Sequence, residues 1–126
     1  MHAHDTEVLA TFAEESAERL QGLEAGLLEL ERTLGAPSPD LLDAVFRDAH
    51  SVKAGANLLG LRGLERAAHS LENVLDRMRK GQLALNDDVI SALLEGVDLL
   101  RDLLGDTGTP DEMRRRLAVL SHLAGA

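Results

Sequence analysis

The chain has 126 residues, about one domain by the usual length relation, and 44% of them are hydrophobic, too many for a disordered tail. A net charge of −9 opposes binding to phosphate backbones, and an aromatic fraction of 2%, with no Trp or Tyr, leaves little to stack on bases. With no cysteine there can be no disulfide framework or thiolate metal site. No run of about 18 apolar residues and no basic-then-apolar leader occurs, so neither membrane insertion nor a signal peptide is predicted.

The first predicted helix runs from about Thr6 to Leu34. Leu9, Phe12, Ala13, Ser16, Leu20, Leu23, Leu27, Leu30 and Leu34 fall at alternating spacings of three and four, which draws one stripe along it. Gly35-Ala36-Pro37 ends it. Ser38-Pro39 supplies an N-cap and a proline at the first helical position of the second helix, 39–59. There Leu42, Val45, Ala49, Val52, Ala56 and Leu59 point inward. A short break spans Gly60 to Gly63. The third helix, 62–80, carries Leu64, Ala68, Leu71, Leu75 and Met78, and a basic last turn followed by Gly81 stops it. Asn86-Asp87-Asp88 opens the fourth, 87–104, with Ile90, Leu93, Leu94, Val97, Leu100 and Leu104 apolar. After the Gly105–Gly108 loop, Thr109-Pro110-Asp111-Glu112 reads as a capping box. It starts a shorter fifth helix, 110–123, through Met113, Leu117, Leu120 and Leu123.

No segment alternates with period two. Short loops between long amphipathic helices favour antiparallel neighbours. The expected fold is all-α: an up-down-up-down four-helix bundle with an added C-terminal helix, forming a single domain over 1–126.

The chemistry-bearing residues interrupt this pattern in the second and third helices. His50, Lys53 and Ala54 share one face, with Asn57 one turn further, because residues three and four apart are neighbours on a helix. His69 and Glu72, also three apart, lie off the apolar stripe of the third helix toward one flank. If the two helices fold back on each other through the Gly60–Gly63 break, the two pairs meet. A carboxylate accepting the proton of one imidazole nitrogen fixes the tautomer and leaves the other nitrogen as a nucleophile. A nearby ammonium can stabilise the oxygens of an arriving phosphoryl group.

Blander readings stand beside this one. Glu72 could serve in helix-surface pairs with cations such as Arg79, Lys53 could be an ordinary solvated lysine, and Asn57 a polar rim residue. His2, His4 and His122 carry no pattern. Asp106-Thr107-Gly108 matches the aspartic-protease tripeptide but lacks a strand context. His50, His69 and Glu72 could together hold a metal, although a di-iron bundle needs Glu-x-x-His pairs from two helices and two further glutamates. A purely structural bundle with a vestigial site is the remaining alternative.

The run Phe46-Arg47-Asp48-Ala49-His50-Ser51-Val52-Lys53-Ala54-Gly55-Ala56 resembles the phosphorylation-site helix of histidine phosphotransfer (HPt) domains. It is more closely similar to that of the N-terminal HPt domain of the chemotaxis histidine kinase CheA. The likeness extends over nearly the whole chain, including Ala68-His69-Ser70-Leu71-Glu72-Asn73-Val74-Leu75-Asp76 and the Gly81-Gln82-Leu83 turn. It implies that His50 is the phosphorylated residue, that Glu72 bonds its other ring nitrogen, and that Lys53 and His69 complete the polar network. The partner would dock over Phe46, Ala54, Gly55 and Asn57, with Ala54 standing where the family usually has glycine. The resemblance also implies two partners, the ATP-binding domain of a histidine kinase and the receiver domain of a response regulator. ATP and Mg2+ would come with those domains and no metal or cofactor would be bound by this chain. The chain lacks a Gly-x-x-x-x-Gly-Lys-[Ser/Thr] loop and would be the phospho-acceptor of a cytoplasmic, CheA-like kinase rather than a kinase by itself.

Overall fold

A computed structural model describes residues 3–105 and 108–125, and these form five helices: α1 (Ala3–Arg32), α2 (Pro39–Leu58), α3 (Arg62–Arg79), α4 (Asp87–Gly105) and α5 (Pro110–Leu123). The helix starts and stops follow from local chemistry. Ser38 accepts a hydrogen bond from the Leu41 N–H, Asn86 from Val89 and Thr109 from Glu112, each satisfying an otherwise orphaned donor of a first turn. At the other end of α2, Gly60 adopts φ +71°. Its N–H reaches Asn57 O at 3.1 Å and the Leu61 N–H reaches Ala56 O at 2.9 Å, a Schellman closure that only a residue tolerant of positive φ allows cheaply. Gly81 closes α3 in the same way. α1 differs from the predicted span at both ends, starting at Ala3 and stopping at Arg32. Beyond Arg32 the Thr33 N–H is shared between the carbonyls of Glu29 and Leu30, and the chain tightens into a turn before Leu34.

Cross-helix contacts fix the directions. Gly26 lies against Val45, Gly22 against Asp48 and Gly55 against Phe12, so α1 and α2 run antiparallel. Asp43 pairs with Arg79, His50 with Glu72 and Asn57 with Glu65, so α2 and α3 do the same. Gly63 meets Leu103 while Gly96 meets Leu71, which reverses α4 against α3. The four helices therefore close an up-down-up-down ring, each beside two neighbours, and α5 packs on α3 and α4 from outside.

Burial follows the same division. On α2 the buried residues are Val45, Ala49, Val52 and Ala56, one row at helical spacing. On α3 the buried apolar residues form two adjoining rows, Leu64, Ala68, Leu71 and Leu75 with Ala67, Val74 and Met78. The second row exists because α5 covers it. Leu120, the one buried residue of α5, sits over Gly96, where a Cβ would come within 3.0 Å of its Cδ2 and 3.3 Å of Leu71 Cδ1. Glycine inside a helix costs about 1 kcal/mol relative to alanine, and here it permits the close approach of three helices. Interhelical ion pairs such as Arg101–Glu24 and Arg116–Asp102 are partly exposed and each contributes at most about 1 kcal/mol. Apolar burial, at about 1.5–3 kcal/mol for each large side chain, decides the fold.

Candidate functional site

The α2/α3 hairpin brings two donors from α2 onto one carboxylate of α3. Glu72 divides its oxygens: Oε2 lies 2.6 Å from His50 Nδ1, and Oε1 accepts from Lys53 Nζ at 2.8 Å. Contrary to the expected flank position, Glu72 is buried, with only 7% of its surface exposed. A carboxylate so placed is costly unless it is paired and hydrogen-bonded. Burial pushes its pKa up. The hydrogen bonds from Lys53 and His50, together with the charge of Lys53, outweigh burial and hold the carboxyl below its usual range. Glu72 is thus an ionised acceptor at neutral pH, and the proton of the shared bond resides on Nδ1 of His50. With Nδ1 as the donor, a lone pair of the unprotonated ring falls on Nε2, which makes no hydrogen bond among the described residues, and the His50 side chain is 55% exposed.

One face of the imidazole is covered. Phe46, one turn earlier on α2, stacks on it with ring centroids 6.2 Å apart and planes 16° from parallel. On the Phe46 ring lies the Arg79 guanidinium, 3.9 Å from its centroid. Arg79 is held by Asp76 at 2.8 Å and, across the seam, by Asp43 at 3.4 Å.

The other expected site residues fall in different places. His69 lies one turn before Glu72 but is exposed, and the structure gives it no hydrogen bond or ion pair, so it stands outside the network. Ala54 is exposed on the face of His50. Asn57 is exposed and donates to Glu65 at 2.9 Å, two turns from His50. Gly55 needs correction. It is turned toward α1, where a Cβ would run into the Phe12 ring, so its small size serves helix packing and not a docking face. Five positions beyond His50, it has rotated well off that residue's face. In the sequence Arg79 is only one cation of the basic last turn of the third helix. The signal that could have placed it is the hairpin register, which sets position 79 opposite position 43. Asp106 and Thr107 lie outside the described residues, as do His2 and the side chain of His4; His122 is exposed at the end of α5. Among the described residues no group of three or more His, Asp or Glu is arranged to hold a metal ion.

A family model, "Hpt domain", matches residues 7–103. The chain belongs to the Hpt domain family. It is 41% identical over 113 residues to the chemotaxis protein CheA of Rhizobium meliloti, a match covering 87% of this chain and 15% of that protein. This chain therefore spans only a small part of the length of that relative. Among solved structures, the CheA phosphotransferase domain from Thermotoga maritima aligns with a TM-score of 0.75 at 30% identity, covering 83% of this chain and 97% of that one. The phosphorylated P1 domain of CheA3 from R. sphaeroides, solved in complex with CheY6, aligns with a TM-score of 0.69 at 25% identity over 91% of this chain and 98% of that domain. The Hpt family thus places this bundle among phosphotransfer domains.

Proposed function

We propose that His50 Nε2 accepts a phosphoryl group from ATP held by a histidine kinase domain and hands it to an aspartate of a receiver domain. The observation that carries the reading is the asymmetry of the ring. Nδ1 is engaged by a buried carboxylate, whereas Nε2 is unbonded and open. In the first step the Nε2 lone pair attacks the γ-phosphorus. An N–P bond forms, the bond to the bridging oxygen breaks, and ADP leaves with the electron pair. The ring becomes cationic while Nδ1–H stays on the Glu72 hydrogen bond, so a charge develops beside a carboxylate already in place. In the second step an aspartate oxygen attacks phosphorus, the P–N bond breaks and its pair returns to Nε2. Lys53, 2.8 Å from Glu72 Oε1, fixes the carboxylate and puts a cation beside the incoming oxygens. His69 would join only after moving from its present unpaired position.

Mg2+ and ATP belong to the partner domains in this reading. Both oxygens of Glu72 are already engaged, one by His50 and one by Lys53. The R. sphaeroides complex, in which a P1 domain meets a CheY protein, supports a receiver as the second partner. A cytoplasmic setting, where ATP is supplied, completes the proposal; no helix among the described residues is long and apolar enough to cross a membrane. Incubation with a CheA-type catalytic domain and labelled ATP tests it. Wild-type protein should take up acid-labile, base-stable label and lose it to a receiver, whereas His50→Gln should take up none while keeping its helical circular dichroism. Label of that kind on His50→Gln would overturn the assignment.

A further inference from the structure

The imidazole hangs from Cβ and is bonded at Nδ1 to Glu72 Oε2, and it can still rock about the Cβ–Cγ bond within the angular tolerance of that hydrogen bond. The N–P bond that forms at Nε2 lies in the ring plane, so rocking sweeps the phosphorus out of line with donor or acceptor. Displacements of about 1 Å cost on the order of 10²-fold in rate when reacting groups must be aligned. The structure supplies a second restraint. The Phe46 ring lies 16° from parallel to the imidazole, and the Arg79 guanidinium lies over the Phe46 ring, 3.9 Å from its centroid. Arg79 is tied in turn to both helices, to Asp76 on α3 and Asp43 on α2. An aromatic side chain half-buried at this seam would pack as well without a cation above it. Anchoring that cation from two helices fixes the aromatic plane and, through it, the imidazole plane.

We propose that Phe46, clamped by Arg79, is a positioning residue that sets the plane of the His50 ring and hence the line along which Nε2 gives and receives a phosphoryl group. The proposal rests on His50 being the phospho-acceptor. It separates Phe46 from the docking role that sequence alone gives it. A docking residue changes how tightly a partner binds, whereas a positioning residue changes turnover once the partner is bound.

The experiment uses the 126-residue chain as wild type, Phe46→Leu and Arg79→Gln. Each is assayed with a CheA-type catalytic domain and ATP over a range of chain concentrations, and separately with phosphoramidate, a small donor that needs no docked alignment. Phe46→Leu should lower kcat about tenfold with KM unchanged, and Arg79→Gln should lower it several-fold, a residue exposed enough that the fold is kept. Both should react with phosphoramidate within about twofold of wild type, since the nucleophile itself is unaltered. The ring-proton resonances of His50 should shift in both, as the stacked ring leaves or loosens. A rise in KM at constant kcat would overturn the proposal in favour of docking. An equal loss with phosphoramidate would overturn it in favour of a general structural effect, and wild-type kinetics in both variants would overturn it outright. If wild type itself takes no label at His50 from either donor, the phospho-acceptor reading fails, and the positioning role with it.

Discussion

The α2/α3 seam and the α3/α4 seam are built from the same helix, α3, and could hardly differ more. On the α3/α4 side the fifth helix lies in the groove: Leu120 packs on Gly96 and Leu71, and Arg77 to the Leu123 carbonyl and Arg116 to Asp102 are the polar contacts that tie α5 down. On the α2/α3 side no helix covers the groove, and the residues are His50, Lys53, Glu72, Asn57, Glu65, Asp43 and Arg79 in paired contacts. Covering a groove with a helix removes water, so polar groups there would be stranded. Leaving the groove open keeps one nitrogen of His50 reachable while a single buried carboxylate orients the ring. The lesson is a division of labour across one helix: the closed seam holds the bundle together and the open seam presents the proposed phospho-acceptor.

The division can be broken most directly at Ala54. Its side chain is exposed on the face of His50, one turn along. Ala54→Leu should abolish both phosphorylation by a kinase domain and transfer to a receiver, with thermal stability unchanged. Normal transfer by this variant would mean that the open seam is not where partners approach.

The closed seam gives the converse. Leu120 is fully buried over Gly96 and Leu71, so Leu120→Ala should cost about 2–5 kcal/mol in urea unfolding. Phosphoryl acceptance at 25 °C by the folded fraction should remain within about twofold of wild type. A tenfold loss would show that the two seams are coupled through α3.

Within the open seam, Glu72→Ala should slow acceptance by about 10²-fold without ending it, because tautomer and orientation are lost but the imidazole remains. Phosphorylation at the wild-type rate would remove the carboxylate from the mechanism.

The smallest effect is a pH dependence. Lys53 and His50 hold the Glu72 carboxyl below its ordinary value near 4.5. As pH falls, the unfolded chain therefore binds this proton first. The stabilisation Glu72 provides is complete above about pH 4.5 and is lost as pH drops through the lower folded value. Urea midpoints of wild type and Glu72→Gln should accordingly converge on acidification below pH 4.5. A constant difference would show that the carboxylate is not held ionised by these partners.

The helices and their order can be read from the chain without its fold. Three-and-four spacing of apolar residues, Ser38, Asn86 and Thr109 as caps, and glycines 60 and 81 as stops are local signals that act within a few residues, so they can be read without knowing what lies across the core. The meeting of His50 with Glu72 was also legible, through the family resemblance and a short break that lets α3 fold back along α2. What only the tertiary structure decided depends on which face meets which neighbour. Glu72 is buried because two donors of α2 neutralise it there, and not because its position in α3 is apolar. Gly55 and Gly96 look alike in sequence, yet each is small for a different partner, Phe12 of α1 and Leu120 of α5. Arg79, read from the sequence as a surface cation near a helix end, becomes a clamp on Phe46 only through the register of the hairpin. Spacing along one helix fixes the angle at which a side chain leaves its axis; the atoms it meets are set by the rotation and offset of the neighbouring helix, which no periodicity records.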